Sequence, residues 1–130
     1  MQLSMRRSQK SSGMISKSVK FTLEAKVKLT PAEAQNIEKY KMGSEIIYSK
    51  DRLGYNPHEN DSAGGMLRNA AALAAAITLT VNDLVRGRTI ECKDIVEMTA
   101  IVEQIKLACE HFKVLLDTAA GFEGEEILDY

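Results

Sequence analysis

Apolar residues recur at alternating three- and four-residue steps between Lys93 and Phe122. Ile95, Met98, Val102, Ile105, Cys109, Phe112, Leu116 and Ala119 form one seam, and Ile101, Ala108 and Leu115 widen it. Glu97, Glu103, Lys106, Glu110, Lys113 and Asp117 take the other side. This periodicity predicts one long amphipathic helix. Asp94 is placed to cap it, Glu97 three residues on to complete a capping box, and Gly121 to stop it. Lys106 stands one turn from Glu110, a spacing that allows local ion pairing. The apolar face is too broad for a two-stranded coiled coil and suits a helix laid across a sheet.

A second pattern has period two. From Ser18 to Thr30, Val19, Phe21, Leu23, Ala25, Val27 and Leu29 alternate with Lys20, Thr22, Glu24, Lys26 and Lys28. Strict alternation predicts a strand with one buried and one wet face, the lysines discouraging edge-to-edge association. Thr30-Pro31-Ala32-Glu33 then reads as a helix start: a Thr cap, Pro at the first helical position and Glu at the third. Ala34, Ile37 and Tyr40 give that helix a short stripe, Gly43 is its expected end, and residues 45–49 read as a short strand. Residues 50–65 contain Gly54, Pro57, Gly64 and Gly65 and form the one long loop, with Gly64-Gly65 as a hinge.

Residues 66–76 are ambiguous. Their alanines favour helix, yet Leu67, Ala71, Leu73 and Ala75 share one face of an extended chain that continues into Ile77-Thr78-Leu79-Thr80. The strand reading is preferred, with a helix ending near Ala74 as the alternative. An internal echo supports it. Leu29-Thr30 leads through a helix to Gly43, Glu45-Ile46 and Lys50-Asp51, and Leu79-Thr80 leads through Val81–Val85 to Gly87, Thr89-Ile90 and Lys93-Asp94. Two similar strand–helix–strand units follow from it, with Glu125–Tyr130 as a final strand or tail. The expected fold is α+β: a mainly antiparallel twisted sheet of four to five strands, with one long C-terminal helix packed across it.

Composition adds compartment and partners. At 130 residues, 45% hydrophobic and 27% charged, the chain has the make-up of one globular domain. No apolar run is long enough to span a bilayer, which predicts a cytoplasmic protein with no membrane partner. The net charge of −1 hides an asymmetry. Residues 1–42 hold nine Lys/Arg against three carboxylates, and the remainder holds eight against fifteen. Residues 1–17 are basic and Ser-rich, with Arg6, Arg7, Lys10 and Lys17, and are expected to form a flexible arm before a single domain over 18–130. Those four residues are the nucleic-acid candidates, although seven Phe and Tyr with no Trp leave few stacking surfaces.

Catalytic motifs are scarce. There is no phosphate-binding glycine loop, nucleophile elbow or His-Glu-x-x-His. Cys109 and His111 are two apart on a helix and point away from each other, so no metal site and no cofactor are expected. The 50–65 loop offers Arg52, Tyr55 and His58 as ligand candidates. If residues 66–80 are a strand, Ala70, Ala72, Ala74, Ala76 and Thr78 line its second face, where a small-residue row invites a second backbone. The function expected from these features is that of a small non-enzymatic protein that self-assembles and binds a partner. Nucleic-acid binding through the basic region, and ligand binding or catalysis by the 50–65 loop, are the alternatives.

Overall fold

In the computed structural model, residues 1–12, 18–50, 63–67, 77–121, 125 and 127–130 are described. Among the described residues the fold is carried by β1 (Gln2–Ser12), β2 (Ser18–Lys28), α1 (Pro31–Lys39), β3 (Ile46–Lys50), β4 (Ile77–Thr80), α2 (Val81–Arg86), β5 (Arg88–Cys92) and α3 (Ile95–Ala120), with a further helical segment over 63–67. The architecture is α+β, with every ladder antiparallel. The strands divide into two sheets, one ordered β1-β2-β5 and the other β3-β4. The long helix packs on both, against β3, β2, β1 and β5, and also meets α1.

The internal echo is real in three dimensions. Thr30 and Thr80 each cap a helix, and in each the residue three on, Glu33 or Asp83, returns its carboxylate to the cap's backbone N–H. Each unit runs strand, helix, strand, and the two interlock: β2 pairs with β5, and β3 with β4. The Val81 N–H donates to the Glu45 carbonyl and the Asn82 N–H to the Gly43 carbonyl, both at 3.0 Å, tying the start of α2 to the turn before β3. Gly43 is therefore a site of close approach, since a Cβ there would lie 2.4 Å from the Asn82 side chain. It does not end α1, which stops at Lys39; the left-handed residue is Lys41, with φ of 54°.

Alternation holds in β2, where Leu23, Ala25 and Val27 are buried while Glu24, Lys26 and Lys28 are exposed. In β3 a register shift between Ile46 and Tyr48 inserts one residue, so that consecutive Ile47 and Tyr48 are both buried. The core joins these side chains to Leu79, Leu84, Ile90 and the inner face of α3. That face is buried from Met98 to Leu116, whereas Ile95, expected to begin it, is 62% exposed.

Two other expectations are corrected. Residues 2–12 are not a loose arm: they pair along their length with β2, Gln2 opposite Lys28 and Ser12 opposite Ser18. The ladder bonds to β2 order this polar segment, and Leu3 and Met5 pack against the core. Met66 and Leu67 do not begin a strand; with Gly64 and Gly65 they lie in a helical segment over 63–67. Strand β4 is short, Ile77–Thr80.

Candidate functional site

α3 is the longest element, 26 residues or about 39 Å at 1.5 Å per residue. The Asp94 carboxylate accepts from the Glu97 N–H at 2.8 Å, and Gly121 closes the other end. Glu97 does not complete a capping box, because its carboxylate pairs with Lys50 at 3.6 Å. One side of the helix is the core face already described. The other is unexpectedly apolar: Val96 is 78%, Leu107 64% and Val114 62% exposed, with Leu115 beside them.

The spacing on this outer face is regular. Ala100, Leu107 and Val114 repeat every seven residues, with Gln104, His111 and Thr118 along one edge of the row and Glu103, Glu110 and Asp117 along the other. The Thr118 hydroxyl donates back to the Val114 carbonyl at 2.8 Å, so it presents a methyl-bearing surface rather than a free donor. Together the large apolar residues leave on the order of 400 Å² uncovered, comparable with the largest patch of an ordinary monomer, which is often functional.

Charges stand on one flank of this stripe and are largely satisfied. Lys106 pairs with Glu103 at 3.5 Å rather than with Glu110. Lys113 bridges Asp117 at 2.9 Å and Glu33 on α1 at 3.0 Å. Glu33 is buried and also receives the Met1 α-ammonium at 2.7 Å and the Thr30 N–H at 3.0 Å. Burial alone would raise its pKa, but the ammonium of Met1, the cap and Lys113 together hold it at about 2. Asp83 is lowered by the Thr80 cap, Tyr48 and the thiols of Cys92 and Cys109 are raised by burial, and Lys113 is raised by its carboxylates. Each shifted group thus serves a cap, a bridge or the core.

The residues singled out from sequence are dispersed. Arg6 lies opposite Glu24 and Lys10 opposite Lys20, on the outer face of the three-stranded sheet, while Arg7 lies opposite Leu23 on the inner row. Lys17, Arg52, Tyr55, His58, Ala70, Ala72, Ala74 and Ala76 lie outside the described residues; Thr78 is exposed on β4. Cys92 and Cys109 are free and buried. Among the described residues no cluster of His, Cys, Asp or Glu is placed to hold a metal ion, and no helix is long and apolar enough to cross a membrane.

Sequence reasoning missed the outer stripe of α3 because it gave the side opposite the core seam to the charged residues and passed over Val96, Leu107 and Val114 among them. The signal was present in the seven-residue repeat of Ala100, Leu107 and Val114. The chain matches no family model, no curated protein and no solved structure.

Proposed function

We propose that this chain is a non-enzymatic binding protein that assembles with a second copy of itself through the outer face of α3. The observation that carries the reading is the exposed stripe of Val96, Leu107 and Val114 on a helix whose opposite side is already buried. An uncovered apolar row this long loses free energy to water, and a helix is its simplest cover. A seven-residue repeat is suited to a helical partner. The row is also self-complementary. An antiparallel pairing centred on Leu107 sets Leu107 on its own copy and small Ala100 against the larger Val114 of the other chain, an isologous contact. The intrachain bridges of Lys106 and Lys113 moderate the acidic flank that would run alongside.

A binding role rather than catalysis fits the shifted groups, each of which caps a helix, bridges two elements or lies in the core. Two buried free thiols suit a reducing, cytoplasmic setting. Sedimentation velocity on the intact chain and on Leu107→Glu/Val114→Glu tests the reading. The variant should sediment as one 14.4 kDa chain with unchanged circular dichroism while the parent is heavier, because carboxylates forced into a dry helix seam oppose association. A variant that keeps the parent's mass contradicts the proposal.

A further inference from the structure

We propose a second binding site, independent of α3: the outer face of the β1-β2-β5 sheet grips the phosphate backbone of a nucleic-acid duplex without reading its sequence. The pairing register sorts the side chains. Leu3 and Val27, Met5 and Ala25, and Leu23 and Ile90 share the inner face, on the side of α3. The alternate positions carry five cations, Arg6, Lys10, Lys20, Lys26 and Lys28, against the two carboxylates Glu24 and Glu91.

All five cations are exposed, and among the described residues none forms an ion pair, even though Arg6 lies directly opposite Glu24. Lys10 lies directly opposite Lys20. Like charges at facing positions destabilise a ladder, and among the described residues no carboxylate pairs with either lysine. A solvated structural face would gain by alternating its signs. An anion seated between the two strands removes the repulsion instead.

The spacing selects a polyphosphate among anions. Alternate residues of a strand stand about 6.7 Å apart, so Lys26 and Lys28 match the step between successive phosphates of a polynucleotide strand. Ser4, adjacent to Lys26, and Thr22, between Lys20 and Glu24, add the hydroxyl donors that position phosphates. The outer rows carry no aromatic residue, so single-stranded bases would find no platform, which favours the backbone of a duplex. Arg7 is on the inner row and Lys17 lies outside the described residues, so the site differs from a basic terminal arm.

The test is fluorescence anisotropy with a labelled mixed-sequence DNA duplex, titrated across salt concentrations. With four or five phosphates neutralised, log affinity should fall against log salt with a slope of about −4. Lys20→Gln/Lys26→Gln/Lys28→Gln should weaken binding at least tenfold at low salt and cut the slope by about 2–3. A control with equal charge loss elsewhere, Lys39→Gln/Lys41→Gln/Lys93→Gln, should stay within about twofold. Glu24→Gln, which adds to the positive charge of the face, should tighten binding and decides the matter if the triple variant fails to fold. Absence of salt-sensitive binding by the intact chain, equal loss in the control, or no gain from Glu24→Gln would overturn the proposal. So would phosphatidylserine vesicles competing better than unlabelled duplex at equal phosphate concentration.

Discussion

Glu33 in the first turn of α1 and Lys113 near the end of α3 meet at 3.0 Å across 80 residues of sequence. With the Met1 α-ammonium 2.7 Å from the other oxygen, the carboxylate joins β1, α1 and α3 at one point. Its folded pKa of about 2 lies below its ordinary 4.5, so its stabilisation is complete above pH 4.5 and lost as pH falls through 2. Glu33→Gln should cost about 1–3 kcal/mol at pH 7. Urea unfolding of both proteins should show that difference shrinking between pH 4.5 and 2. A difference constant with pH would mean that the site acts by packing alone.

Gly43 and Asn82 provide a second test, on the joint between the two interlocked units. A Cβ at Gly43 falls 2.4 Å from the Asn82 carboxamide, the end of an exposed side chain that must turn away to admit it. Gly43→Ala should cost about 1–2 kcal/mol, and adding Asn82→Ala should recover most of the loss. Additive losses in the double-mutant cycle would show that the two positions do not touch.

The two faces of α3 should respond oppositely to truncation. Phe112→Ala or Ile105→Ala removes a side chain no more than 3% exposed and should cost about 2–5 kcal/mol. Leu107→Ala, at low protein concentration, should cost under about 0.5 kcal/mol. Equal losses in denaturant titrations would mean that the core face is wrongly assigned.

β1 makes the converse prediction to that of a loose arm. Leu3 lies opposite Val27 and packs against the core, so Leu3→Asp should lose about 1–3 kcal/mol by burying part of a charge. An unchanged melting temperature would show that residues 2–12 contribute nothing to the fold.

The elements most legible in sequence were those with local signals. The capping box of Thr30 with Glu33 is written within four residues and was legible there, whereas the equally local box of Thr80 with Asp83 was passed over and the one expected of Asp94 with Glu97 does not form. The alternation of β2 fixes its buried face without reference to any partner. What was not legible depends on distant contacts. β1 has only Leu3 and Met5 to mark an inner row before Arg7 and Gln9 replace apolar residues, and its order comes from the ladder to β2. The burial of both Ile47 and Tyr48 requires a bulge that alternation cannot foresee. The partners of Glu33 come from residues 1 and 113, and its local sequence announces only the cap. On α3 the periodicity identified a helix and most of its core face, but the charged residues opposite drew attention from the exposed Val96, Leu107 and Val114 that stand among them.

The most direct measurement of the self-assembly account is the mass of the unmodified chain by light scattering from micromolar to sub-millimolar concentration. The account predicts a rise from 14.4 kDa towards twice that value, with the midpoint shifted to higher concentration by Leu107→Glu. A mass that stays at 14.4 kDa over the whole range contradicts it.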